Sequence, residues 1–459
     1  MTLLAINWGN VGMQVFYLIL SLSILVILHE FGHYITAKWF GCRVEKFYLF
    51  FNPYFSLFKK KIGDTEYGVG WLPLGGYVKI SGMIDESMDK DAMKLPPQPY
   101  EFRSKPAWQR LIIMLGGIIV NVLLAFIIYA MILFVWGEQK MPIASVKNGI
   151  WVQDSVLYDL KLRNGDKITA VDGKPVEYFE DIQPKLLLAK SVTIQRDGTT
   201  SEIPFPVNFI ERLVESKRKT GMLLMPRIPP YIGEYAPKDT ANGKKAGIQF
   251  MDKITAIDSM PVLYYDDMTA ILSHKKNQTV NLQIDRKGAP VALAAKVNAD
   301  GKIGLPILSF EQYDSLGIFT VNKKKYGLLE AIPAGVSMTL VKLKSYIDQF
   351  KLIFQPSTGA YKGLGGFKSM GSIFPTQWGD WEAFWKITGF LSIILAFMNL
   401  LPIPALDGGH VVFTLIEMIS GRKPSDKFLE YAQVVGMVLL LGLMLFANGN
   451  DWFGWGRGK

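Results

Sequence analysis

Two histidines four residues apart, with a glutamate beside the first, carry the chemistry this sequence can do. They stand in Leu28-His29-Glu30-Phe31-Gly32-His33. On an α-helix, positions i and i+4 share a face, so both imidazoles can reach one divalent ion. Glu30 is then placed to polarise a coordinated water and carry its proton. That is the chemistry of metal-assisted hydrolysis. Two helical histidines beside a glutamate are ordinarily polar surface. Here no side chain from Met1 to Leu28 is charged, and ionisable groups at the end of a membrane-length apolar run are costly. A metal site is the reading that explains them.

A hydrolytic metal site uses three protein ligands and keeps one position open for water. The third candidate lies far away in the chain, in Asn399-Leu400-Leu401-Pro402-Ile403-Pro404-Ala405-Leu406-Asp407-Gly408-Gly409-His410. Taken alone, Asp407 reads equally well as the cap of a helix starting near Gly409, after two helix-breaking prolines. Beside the histidine pair it reads as a ligand, because no other candidate offers itself within the membrane. The single cysteine, Cys42, excludes an internal disulfide and a multi-thiolate site. The only histidines are His29, His33, His274 and His410. All but His274 fall inside the two motifs.

The elements that must position these residues are membrane spans. The chain has 459 residues, of which 49% are hydrophobic, and its mean hydropathy is positive, which marks a polytopic membrane protein. The net charge of +10 reads as bases retained on the cytoplasmic side. No basic block is interleaved with aromatics, and no nucleic-acid partner is expected. A first span is expected over 11–40; it lacks the basic start and small-residue cleavage site of a signal peptide. Residues 41–106 are expected to hold short strands, as a hairpin dipping toward the membrane or an ordinary cytoplasmic hairpin, with a polar, flexible loop from Asp85 to Pro99. The second span covers 107–136, where Gly116 and Gly117 allow close helix approach. Asn121 in that span is either interhelical glue or an active-site contact. Lys and Arg crowd the segment from Lys38 to Arg110, whereas Met1 to Gln14 has none. The N-terminus is therefore placed outside and the histidine motif near the cytoplasm.

An internal repeat follows. Asp166-Lys167-Ile168-Thr169-Ala170-Val171-Asp172 recurs as Asp252-Lys253-Ile254-Thr255-Ala256-Ile257-Asp258, at an offset of 252 − 166 = 86. The match continues through Pro175 and Pro261, Tyr178 and Tyr264, and Asp181 and Asp267. Two tandem β-rich domains are expected, over 137–225 and 226–312, on the outer side. The second copy has Met251 and Ser259 where the first has Gly165 and Gly173. Residues 313–381 hold an amphipathic helix, with Leu329, Ile332, Val336, Leu340, Leu343, Ile347, Phe350 and Phe354 at three- and four-residue steps, and then a Gly- and Pro-rich loop. The C-terminal membrane part, 382–459, carries spans over 382–406 and 428–450.

The first copy's Gly165-Asp166-x-Ile168-x-x-Val171-Asp172-Gly173-x-Pro175-Val176 resembles PDZ domains, which take extended peptide C-termini onto a sheet edge. The whole pattern resembles the site-2 proteases and, among them, the bacterial RseP-like type. That pattern is the histidine motif in the first span, Asn-x-x-Pro-x-x-x-Leu-Asp-Gly-Gly in the third, the Pro73-Leu74-Gly75-Gly76-Tyr77-Val78 strand, Gly117-x-x-x-Asn121, and tandem PDZ-like domains between. The resemblance implies a polytopic α-helical membrane protein of four transmembrane helices, two tandem β-rich PDZ-like extracytoplasmic domains and a membrane-associated β-hairpin region. It implies zinc on His29, His33 and Asp407, Glu30 as general base, and Asn399 with Asn121 holding the substrate backbone. It also implies residence in the bacterial inner membrane, with single-span membrane proteins and the lipid bilayer as partners. Ile118 departs from the family, which often has Pro there, and Leu364-Gly365-Gly366 stands where Ser-Gly-Pro is expected. Two other readings use the same residues: a non-catalytic, membrane-anchored PDZ scaffold, and a transporter with His29, Glu30 and Asp407 as a proton relay. The intact Glu30 weighs against the first. Four spans with tandem peptide-binding modules weigh against the second.

Overall fold

The computed structural model describes residues 8–73, 75–83, 96–216, 222–236 and 240–456. Leu74 and most of the polar stretch expected to be a flexible loop, 85–99, lie outside them. The chain divides into two compact units. One comprises Met1–Gly137, Lys325–Phe350 and Tyr361–Lys459; the other comprises Glu138–Lys324 and Lys351–Ala360.

The first unit is helical, with one sheet. Helix α1 (Trp8–Trp39) and helix α2 (Ala107–Val135) are long and apolar enough to span a bilayer, as are α4 (Trp381–Leu400) and α6 (Asp426–Phe453). Between them lie α3 (Leu328–Ile353) and α5 (Asp407–Ser420). α1 and α2 touch backbone to backbone. A Cβ on Gly32 would run into the carbonyl of Gly116, and one on Gly116 would come within 2.8 Å of Thr36 Oγ1. Lipid supplies no hydrophobic force between helices, so such small-residue contacts carry the packing. Polar cross-links add to it. Thr388 Oγ1 of α4 donates to Ser21 Oγ of α1 at 3.0 Å, and Ser392 Oγ donates to the Asn121 carbonyl of α2 at 2.8 Å.

Strands β1 (Val44–Leu49), β2 (Phe58–Ile62), β3 (Thr65–Val69) and β4 (Tyr77–Ile80) form a sheet in the order β2-β3-β1-β4. A hairpin is expected from Val44–Phe58 and Glu66–Ile80; the structure has four strands there, and the tight hairpin, β2 and β3, is only the outer half of the sheet. β1 inserts beside β3 in parallel and carries β4 antiparallel on its other side. Gly68 makes room for this, since a Cβ there would strike the ring of Tyr48 on the neighbouring strand.

One further expectation is corrected. The third span stops at Leu400, short of 406. Leu401 precedes Pro402 and is extended (φ −63°, ψ 144°), as the clash with a following proline ring requires. The amphipathic helix is α3. Of the stripe its periodicity marks, Leu343 packs against the core between α2 and α4 and Phe350 meets Phe397 of α4, while Leu329, Ile332 and Leu340 are exposed; Ala331, Gly335 and Thr339 are buried. A Cβ on Gly335 would meet the backbone of Ala130 in α2. The row of small residues lets the two helices approach.

The second unit comprises β5 (Glu138–Lys140), β6 (Ile150–Val152), β7 (Lys167–Val171), β8 (Lys174–Pro175), β9 (Ser191–Arg196), β10 (Thr199–Pro204), β11 (Leu224–Pro226), β12 (Lys253–Ile257), β13 (Met260–Pro261), β14 (Thr279–Arg286), β15 (Ala289–Lys296) and β16 (Asn322–Lys324). Its sheets β10-β9-β7-β8 and β13-β12-β14-β15 run the same topology in reverse order of writing. The repeat is thus two copies of one module, each around its own apolar core. In each copy a buried aspartate is gripped by an arginine from the next strand: Asp166 by Arg196 at 2.6 Å and Asp252 by Arg286 at 2.7 Å. The same aspartates accept backbone N–H groups from Arg163 and Gln249, both at 2.8 Å.

Candidate metal centre

α1 carries His29 and His33 on its buried face. α2 lies against that face at Gly116 and Gly117, where a side chain would fill the site. A Cβ on Gly117 would fall 2.6 Å from His29 Cε1 and closer still to His33 Nε2. The same approach brings the Ile113 carbonyl to 2.8 Å from His33 Nδ1. A proton on Nδ1 donates to that carbonyl, which leaves the Nε2 lone pair facing the centre.

Asp407 arrives from the other end of the chain. After α4 ends, residues 401–406 loop back through Ala405, whose φ of +87° is rare for a residue with a Cβ. α5 then starts at Asp407 itself, with Leu406 in the N-cap position. Gly408 and Gly409 are needed here. A Cβ on Gly409 would come within 2.6 Å of the Ile403 carbonyl, and one on Gly408 would meet the carbonyls of Leu400 and Leu401. The alternative role for Asp407, as a helix cap, is not what the structure shows. Its carboxylate points into the centre.

The structure brings His29, His33 and Asp407 together. Asp407 Oδ2 is 3.2 Å from Nε2 of each histidine, and the two Nε2 atoms are 3.4 Å apart. Bonds of about 2.0–2.1 Å to a tetrahedral ion imply ligand–ligand edges of roughly 3.3 Å, so the triangle has the size of one face of such a tetrahedron. Asp407 Oδ2 is buried and has no hydrogen-bond donor. A buried carboxylate oxygen without a partner, facing two imidazole nitrogens, is a costly arrangement that a cation relieves. Two imidazoles and one carboxylate suit zinc, and the residues fit that ion.

Glu30 lies one residue from His29 and is fixed from the sheet side. The Val78 N–H of β4 donates to its carboxylate. Gly76 permits this approach, since a Cβ there would fall 2.7 Å from the Tyr48 carbonyl, 2.8 Å from Val26 Cγ1 and 3.3 Å from Glu30 Cγ. The two asparagines both reach His29. Asn121 Nδ2 is 3.1 Å from its Nδ1, and Asn399 Nδ2 is 3.3 Å from its Nε2. A cavity of about 600 Å³ opens from the centre and is walled by Glu30, Gly76, Tyr77, Val78, Leu406 and Asp407 among others.

Residues 17–443 match the sequence model of Peptidase family M50. The chain belongs to Peptidase family M50. Among relatives, it is 28% identical over 472 residues to a Xylella fastidiosa (strain Temecula1 / ATCC 700964) protein named "Putative zinc metalloprotease", covering 97% of this chain and 100% of that one. It is 25% identical over 460 residues to the regulator of sigma-E protease RseP of Escherichia coli (strain K12), covering 94% of this chain and 97% of the relative. It is 27% identical over 452 residues to the metalloprotease MmpA of Caulobacter vibrioides (strain ATCC 19089 / CIP 103742 / CB 15), covering 95% and 94%. This M50 chain is a zinc metalloprotease of the membrane, an intramembrane protease, and the scaffold and transporter readings are set aside.

The sequence motifs pointed to His29, Glu30, His33 and Asp407, which the structure brings together, but not to what surrounds them. The Ile113 carbonyl, the Val78 N–H and the turn at Ala405 are backbone features with no residue signature. Gly32, inside the histidine motif, is a small residue on the packed face of α1, and its spacing from His29 and His33 is the one signal that motif gives of the contact with α2.

Proposed function

We propose that this protease cleaves the transmembrane segments of single-span membrane proteins in the bacterial cytoplasmic membrane, after another protease has shortened their outer part. One observation carries the reading: the His29–His33–Asp407 triangle, with Glu30 beside it, opens into a cavity walled by β4. A helical substrate hides its carbonyl carbons, so it must unwind. β4 is an edge strand of its sheet, and an unwound segment can pair along such an edge.

His29, His33 and Asp407 hold zinc in this reading. Bound there, zinc supplies the positive charge that acidifies water and polarises a peptide carbonyl. Glu30 takes the proton of the attacking water and delivers it to the nitrogen that leaves as the peptide C–N bond breaks. The Val78 N–H keeps the Glu30 carboxylate aimed into the cavity. Asn399 donates from its amide to the substrate backbone beside His29. Asn121 holds the far side of the His29 ring.

The two modules are PDZ-like and extracytoplasmic in this reading, supported by the Gly-Asp-x-Ile pattern and by the charge bias of residues 38–110. They gate by size or read a newly made C-terminus. Relatives named for regulation of sigma-E point to membrane-bound anti-sigma factors in envelope-stress signalling as substrates, with signal-peptide remnants a second class. The test is metal content together with cleavage of a truncated single-span substrate. Purified protein should hold one zinc and lose cleavage to a chelator. Glu30→Gln should keep zinc and cleave nothing, and retained cleavage would overturn the role of Glu30.

A further inference from the structure

We propose that the β2–β3 hairpin is an anchor for anionic lipid. All five residues of β2, Phe58-Lys59-Lys60-Lys61-Ile62, are exposed. The loop before it adds exposed Tyr54, Phe55 and Leu57, and Trp71 joins them, its ring stacked on Phe55 at 5.8 Å. Trp71 Nε1 donates to the Pro53 carbonyl at 2.9 Å, so the aromatic tip is a built feature. Soluble surfaces seldom expose so contiguous an apolar patch without a partner. Lysines on an edge strand often serve only to keep other strands from pairing. That purpose explains Lys59, Lys60 and Lys61 but not the bare aromatics next to them.

Position and charge identify the partner. β1 begins five residues after α1 ends, Val44 after Trp39. Trp39 at the C-terminal end of α1 and Trp108 at the N-terminal end of α2, both exposed, are residues of the kind that settle at the membrane–water interface. The hairpin therefore grows from the level of the lipid headgroups. Lys59, Lys60 and Lys61 form no ion pair among the described residues. Aromatic and aliphatic side chains entering the acyl boundary, with lysines at the phosphates, are the pattern of interfacial lipid binding. β4 belongs to the same sheet and lines the cavity from its other edge, so the anchored sheet is the one that borders the site. The proposal rests on the membrane-spanning reading of α1 and α2.

The test uses the full chain in nanodiscs of phosphatidylcholine alone or mixed with phosphatidylglycerol. An environment-sensitive fluorophore is placed at Leu57→Cys; the native Cys42 is buried. The emission should shift to the blue in the anionic discs. That shift should vanish in the Lys59→Gln, Lys60→Gln, Lys61→Gln triple variant and persist in the corresponding triple Arg variant. Three lysines are worth on the order of a hundredfold in the docked-to-free ratio. Equal emission in both lipids, or a shift untouched by the Gln changes, would overturn the proposal. So would emission that responds only when a truncated substrate is added. Zinc content and cleavage measured in the same discs test the protease reading separately. If both persist while the probe ignores lipid charge, only the anchor fails.

Discussion

Asn121 meets His29 at the ring nitrogen that faces away from the metal centre, 3.1 Å from Nδ1, while its own Oδ1 is buried without a partner. An imidazole that ligates through Nε2 carries its proton on Nδ1 and needs an acceptor there. The two ends of an amide are assigned from their partners, and turning the amide over presents Oδ1 to that proton. Asn121 is then a positioning residue for His29. Asn121→Leu should weaken zinc binding by roughly 10- to 100-fold, whereas Asn121→Asp should retain it. Competition with a chromophoric chelator measures this directly, and unchanged affinity in Asn121→Leu would remove Asn121 from the site.

Gly117 offers a sharper contrast. Alanine in place of a helical glycine ordinarily stabilises by about 0.5–1 kcal/mol. At Gly117 the added methyl would occupy the space of both imidazole rings. Gly117→Ala should therefore lose most of its zinc even where the fold survives. Gly12→Ala, on a helix position with nothing within 4 Å, should leave zinc content unchanged. Metal analysis of the two purified variants separates local exclusion from a general intolerance of the spans to alanine.

The repeat shows what residue types can hide. Gly165 and Gly173 have φ of 92° and 71°, as their turns require; Met251 and Ser259, at the same places in the second copy, have φ of 68° and 65°. The second module keeps the left-handed backbone without the glycines, at a cost of about 1 kcal/mol per residue. Ser259→Gly and Met251→Gly should each raise the thermal midpoint of the second unit by a few degrees. A fall in either would mean that the side chain contributes more than the strain costs.

The ease of reading this chain differs from part to part for physical reasons. His29, Glu30 and His33 were legible because a helix converts spacing into a shared face, and Asp407 because a charge at the end of an apolar run needs a reason. The modules were legible because one sequence was written twice. The join between β1 and β3 was not, since parallel pairing leaves no turn to recognise. Nor was the packing of α3. Its leucines and isoleucines follow the helical period, but the period does not say which residue lets another helix come close; that residue is Gly335, where the backbone of Ala130 approaches.

Gly76 separates holding the metal from presenting the substrate. It touches no ligand, yet a Cβ there would press on Val26, the Tyr48 carbonyl and Glu30 together. Gly76→Val adds a branched side chain where even one carbon is crowded, so β4 must move away from α1. The Val78 N–H then leaves the Glu30 carboxylate, and the strand edge leaves the cavity wall. His29, His33 and Asp407 are held by α1, α2 and α5, so their triangle stays. Zinc affinity should therefore match the parent, while kcat/KM on a truncated single-span substrate falls by at least about tenfold, the equivalent of one displaced hydrogen bond to a charged group. If Gly76→Val instead loses zinc in step with activity, the sheet supports the metal ligands and the division drawn here between the two halves of the site is wrong.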